Sequence, residues 1–163
     1  MRMSVKLHFV VWAALLGIVC VTSAQCQRRP LSIVISAPQS VLRVGSEVRL
    51  EVTLTNTSSR RMLIQVRNSA TDYEIDVRDE RGTAVPENDY GRKLKEPPVM
   101  PMNSRNFGIY LQPNESTKES IALSDLYDLS RPGKYSIQVE RGVSDNPKDG
   151  VVKSNKVILT VRE

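Results

Sequence analysis

Residues 46–55 read SEVRLEVTLT, with Val48, Leu50, Val52 and Leu54 alternating strictly against Glu47, Arg49, Glu51 and Thr53. Successive side chains of an extended chain point to opposite faces, so this stretch predicts a strand with one buried and one solvated face. The same period recurs at Tyr73, Ile75 and Val77, at Tyr135, Ile137 and Val139, and at Val157, Leu159 and Val161. Shorter candidates lie at 31–37, 62–66, 107–111 and 117–123. No window of similar length carries a 3.6-residue period. Turn residues fill the gaps: NTSS (56–59), DERG (79–82), QPN (112–114), RPG (131–133) and DNPKDG (145–150). Seven to eight half-polar strands with such punctuation predict an all-β, antiparallel, immunoglobulin-like β-sandwich. In that architecture a corner tyrosine bonds its hydroxyl to upstream backbone. Tyr135, entering its strand directly after Arg131-Pro132-Gly133, is the candidate for this structural corner.

The 163-residue chain divides into three parts. Arg2 and Lys6 precede an apolar run, FVVWAALLGIVCV (9–21), and Thr22-Ser23-Ala24 supplies small residues at a cleavage site, so residues 1–24 read as a secretory signal peptide. The run is shorter than the roughly 20 apolar residues of a membrane span, and no transmembrane segment is expected after cleavage. A flexible N-terminus (25–30) leads to the sandwich domain at 31–163. Because residues 1–24 hold Arg2 and Lys6 and no acid, the mature chain keeps 21 basic and 18 acidic side chains. That small excess, without an Arg/Lys stripe interleaved with aromatics, argues against nucleic acid as a partner.

Composition excludes much chemistry. The single histidine, His8, lies in the signal segment, so the mature chain lacks serine–histidine triads, cysteine–histidine dyads and histidine-ligated metals. Cys20 leaves with the signal and Cys26 remains alone, which rules out an intramolecular disulfide. Cys26 is also the minor alternative site for a lipid anchor, although Gln25 is large for the residue before a lipidated cysteine. No cofactor is expected. The acids Asp72, Asp79 and Glu80 at strand ends are the candidates for calcium, against a plain reading as turn and surface residues. Glu74 and Asp76 stand about 7 Å apart on one solvated face, and without a cleft signature they leave a carboxylate- or metal-dependent hydrolase as the remote alternative. Asp145 and Asp149 are read as part of a hairpin turn closed by Asp149-Gly150. Asn56-Thr57-Ser58 and Asn114-Glu115-Ser116 match the glycosylation acceptor pattern on expected loops.

Residues 83–106 (TAVPENDYGRKLKEPPVMPMNSRN) break the rhythm. They carry four prolines, no periodic pattern, and the apolar Leu94, Met100 and Met102 beside the basic Arg92, Lys93 and Lys95. A long Pro-rich loop of this kind is commonly functional, and it predicts an exposed binding segment with apolar anchors and a basic rim.

The segments LTNTS (54–58), DYEIDVRDERG (72–82), LQPNES (111–116) and RPGKYSIQV (131–139) together resemble the intracellular proteinase inhibitor family of bacilli and related secreted immunoglobulin-like domains. Asn114 stands where that family has glycine. The resemblance implies the sandwich fold and a proteinase-inhibitor-like activity. LYDLSRPGKY (126–135) also looks like the pro-region of some secreted metallopeptidases, another non-catalytic sandwich. The sequence therefore predicts a secreted or periplasmic, non-enzymatic binding or accessory module that recognises a protein through loops.

The exported chain is expected to begin at Gln25. N-terminal sequencing or intact mass decides this, and a start at Cys26 carrying a diacylglycerol mass would replace free secretion with a surface lipoprotein.

Overall fold

The alternation at 46–55 becomes the central strand of a three-stranded sheet. A computed structural model describes residues 30–96, 107–144 and 147–163, and in it β3 (Arg49–Asn56) lies between β1 (Leu31–Ser36) and β7 (Ser116–Ala122). Leu50, Val52 and Leu54 are completely buried, while Arg49 and Glu51 face water. The second sheet orders β2 (Val41–Arg43), β10 (Val157–Arg162), β8 (Gly133–Gly142) and β5 (Glu74–Arg78), with β9 (Val151–Lys153) also paired to β8. Ile75, Val77, Ile137, Val139 and Leu159 turn inward from it and meet the first sheet across the core. A separate two-stranded ribbon joins β4 (Met62–Val66) to β6 (Phe107–Leu111). The molecule is an all-β, immunoglobulin-like sandwich. Among the described residues no helix is long and apolar enough to cross a membrane.

Three details depart from the sequence reading. The described strands number ten rather than seven or eight, because β2 and β9 are three residues each and too short to show a period. One pair is parallel: after β1 the chain crosses to the other sheet, where Val41↔Thr160 and Leu42↔Val161 run side by side. The segment expected to be a long loop without periodicity contains a short helix, α1 (Asp89–Lys95), and is bridged to β5 through Ala84↔Arg78 and to the 123–130 segment through Glu87↔Tyr127. In the 145–150 connection, Gly150 takes φ +80° and its carbonyl accepts the Val143 N–H, while Asp145 lies outside the described residues.

Side-chain bonds to backbone join the pieces that strand ladders leave apart. Tyr135, 5% exposed, donates its hydroxyl to the Arg131 carbonyl at 2.7 Å and spans the Pro132-Gly133 turn. Tyr127 donates to the Ile75 carbonyl at 2.7 Å. Tyr73 is also buried, so three tyrosines are interior. Asn155 holds the edge of β1, accepting the Ile35 N–H at 2.8 Å and donating to the Ile35 carbonyl at 3.0 Å. Asn56, read as a loop glycan acceptor, is fully buried. Its amide nitrogen donates to the carbonyls of Arg60 at 2.7 Å and Leu111 at 2.9 Å, and its oxygen accepts the N–H and hydroxyl of Ser58. With both amide hydrogens engaged in the interior, this asparagine is closed to glycosylation. Asn114 takes φ +63°, a left-handed conformation that asparagine tolerates among non-glycine residues. Its N–H donates to the Asn56 carbonyl at 2.8 Å.

Replacing Asn56 with alanine removes its four side-chain hydrogen bonds, among them the buried one to the Leu111 carbonyl, and is expected to cost about 3 kcal/mol. Tyr135→Phe keeps the ring and loses one bond, about 1 kcal/mol, and Glu74→Gln on the exposed face stays under about 0.5 kcal/mol. Urea melts of the three variants check the order.

Candidate interaction site

Helix α1 exists because its neighbours hold it, since seven residues containing a glycine do not sustain a helix in water. Asn88 caps it by accepting the Gly91 N–H at 2.9 Å. The same Asn88 binds the 123–127 segment twice, through its N–H to the Leu126 carbonyl and its amide to the Asp125 carbonyl, each at 2.8 Å. Gly91 is the point of closest approach: a Cβ there would lie 2.6 Å from the Leu126 carbonyl oxygen. The helix therefore lies directly on the chain that leads into Tyr127.

Arg92, Lys93, Leu94 and Lys95 all fall on this helix, in an arrangement different from the one the sequence suggested. Leu94 is half-buried against the core instead of standing out as an anchor. Arg92 pairs with Asp89 and donates to the Glu87 carbonyl, and Lys95 pairs with Glu87. The basic rim is thus largely answered by acids of its own segment, while Lys93 has no ion pair among the described residues. Tyr90, 59% exposed, is the apolar surface that the helix presents. Met100 and Met102 lie outside the described residues.

Beside α1 is an open cleft of about 810 Å³, framed by the β2–β3 turn, residues 86–92 and residues 124–130. Glu47, Glu87, Asp89, Asp125 and Asp128 line it against a single guanidinium, that of Arg92. Asp128 accepts hydrogen bonds from the hydroxyl and N–H of Ser130, which hold its carboxyl below the usual carboxylate range. Tyr127 forms one wall. Burial, reinforced by the charge of Glu87, raises its phenol far above the ordinary value, so it remains a neutral donor to Ile75. These acids come from three separate segments, and no local motif could have announced them.

A smaller opening of about 220 Å³ separates β4 from the end of β8. There the Arg141 guanidinium lies 5.3 Å from the centre of the Tyr73 ring and donates to the Gln65 carbonyl. Glu119 points inward from β7 beside the Tyr73 hydroxyl. Burial pushes the Glu119 carboxyl up, and it pushes the Tyr73 phenol up to about 12. The acids once considered for calcium have local tasks: Asp72 accepts the Arg67 N–H, and Asp79 accepts those of Arg81 and Thr83 to close its turn. Among the described residues no group of three or more His, Cys, Asp or Glu gathers as a metal site.

If α1 is docked in this way, Gly91→Ala must displace it from Leu126 and is expected to cost about 1–3 kcal/mol. Leu94→Ser should also destabilise, while Lys93→Ser stays within about 0.5 kcal/mol. Thermal melts distinguish this from a free loop, in which all three changes would be neutral.

No family model matches the chain, and no curated protein matches it. Among solved structures it is similar to the CARDB domain of a Pyrococcus furiosus protein, at 16% identity and TM-score 0.41, covering 82% of this chain and 94% of that one. A crystal structure of the same CARDB domain in complex with di-metal ions aligns at 16% identity and TM-score 0.40, over 80% of this chain and 86% of that one. A β-glucosidase from Listeria innocua aligns at 14% identity and TM-score 0.39, over 82% of this chain but only 16% of the enzyme.

Proposed function

We propose that this protein is a secreted or periplasmic, non-catalytic binding module that recognises a protein partner through the loops at the α1 end of its sandwich. The observation that carries this reading is the acidic cleft beside α1, a surface built from three connections and lined by five carboxylates, of which Asp125 and Asp128 have no ion pair among the described residues. Loops on a rigid sandwich can vary without disturbing the core. The charge balance selects a partner segment rich in Lys or Arg, and such a contact weakens with added salt. Tyr127 is committed to Ile75, and the mature chain lacks histidine, which leaves the cleft without an evident nucleophile and base pair. The resemblance to the proteinase inhibitor family makes inhibition one form that such binding could take.

Affinity capture from the exported fraction tests the reading, using wild-type protein and the double variant Asp125→Lys/Asp128→Lys as parallel baits. A partner enriched on wild type, released by about 0.3 M salt and lost from the variant supports it. Identical captured sets on the two baits would remove the cleft from recognition. Dose-dependent inhibition of a secreted protease, lost in the same variant, would select the inhibitory form.

A further inference from the structure

The β4–β6 ribbon belongs to neither main sheet, and its two faces differ. Ile64 and Leu111 pack inward on the core. On the outward face Leu63 and Tyr110 are direct cross-strand neighbours, 51% and 56% exposed. Gly108 follows on the same face, and a Cβ there would lie 2.6 Å from Leu63 Cδ1, so the Leu63 side chain lies across the glycine as a flat apolar surface. The Arg61 guanidinium stacks over the Tyr110 ring, 4.2 Å from its centre. Among the described residues no carboxylate pairs with Arg61, and Arg60 beside it is exposed.

We propose that this outward face is a second docking surface, for a protein segment that carries a carboxylate next to an apolar side chain. Stacking uses the face of the guanidinium and leaves its in-plane N–H groups directed outward, in the fork that suits a carboxylate. Leu63 and Tyr110 offer the apolar contact beside that fork, and Tyr with Arg is a pairing favoured at binding hot spots. Arg61 already takes one face of the Tyr110 ring. The surface is distinct from the acidic cleft. β3 begins two residues after Glu47 and ends at Asn56, whose amide holds Arg60 and Leu111, so the two surfaces sit at opposite ends of an eight-residue strand, about 25 Å apart.

The test is selection of a random 12-residue peptide library, displayed on phage, against the full exported protein. Wild type is expected to enrich peptides with Asp or Glu beside Leu, Ile or Phe. A selected peptide, resynthesised, is expected to bind Leu63→Ser or Arg61→Glu at least tenfold more weakly, with circular dichroism and melting temperature retained. Arg61→Glu should instead enrich Lys or Arg in place of the acid. Should Leu63→Ser fail to fold, Tyr110→Ser and Arg61→Glu supply the same comparison. The proposal is overturned by enrichment of peptides without an acid, by equal binding to wild type and the ribbon variants, by loss of binding only in Asp125→Lys/Asp128→Lys, or by no enrichment. Self-association of wild type in sedimentation equilibrium, abolished by Leu63→Ser, would assign the surface to a second copy and overturn it as well. A failure here leaves the cleft reading intact, since that rests on different residues and a different variant.

Discussion

One buried amide, that of Asn56, ties the β4–β6 ribbon to the three-stranded sheet of this protein. The β4–β6 ribbon shares no ladder with either main sheet, so its position depends on the inward packing of Ile64 and Leu111 and on polar bonds at its ends. Asn56 ends β3 and reaches the ribbon twice, at Arg60 before β4 and at Leu111 ending β6. Its own backbone pairs with Glu115 and Asn114 in the β6–β7 turn, and the N–H of the next residue, Thr57, donates to Pro30 before β1. Four segments thus converge on one position with no solvent access. Asparagine is suited to this role because a single planar amide supplies two donors and an acceptor within a short side chain. Aspartate would supply no donor, and a buried charge besides.

The described chain contains no cysteine, so a module read as exported has no disulfide across its core. Its ties between segments are side-chain bonds to backbone. Tyr135 closes the corner before β8, Tyr127 joins the 123–130 segment to β5, and Asn155 binds both backbone groups of Ile35. Each is worth about 1 kcal/mol net, yet losing one partner leaves a desolvated carbonyl or N–H, so the cost of disruption exceeds the gain from formation. Asn155 also answers polar groups on the outer edge of β1, which would otherwise offer a template for another strand.

What was legible in the sequence follows from the range over which each signal acts. Period-two alternation is a local consequence of backbone geometry, and it placed β3, β5, β8 and β10 within a few residues; the apolar runs at 62–66 and 107–111 coincide with β4 and β6. β2 and β9 are too short to carry a period, and β2 is a strand only because β10 lies beside it. Helix α1 has a cap at Asn88 and basic residues in its last turn, but the four prolines of 83–106 and the lack of a periodic pattern pointed to a loop. The glycine is there because the helix must approach Leu126, a tertiary reason that no window of sequence contains. The inward turn of Leu94 has the same origin. The buried role of Asn56 was masked by a motif, Asn-Thr-Ser, whose usual meaning requires exposure.

Charge was the least legible property of all. The chain carries a formal net charge of +5, yet the cleft beside α1 is acidic. The reconciliation lies in Glu87 and Asp89, which pair with Lys95 and Arg92 of the adjoining helix. Those pairings cancel the basic cluster that stands out in the sequence, Glu47 pairs with Arg49, and Asp125 and Asp128, contributed by another segment, are left to set the sign of the field. Arg61 is the opposite case, a cation held in place by an aromatic ring rather than by an acid. At both ends of the sandwich the surface potential is decided by which charges find partners within the fold, and net charge is silent about that because it counts every side chain as though it were alone.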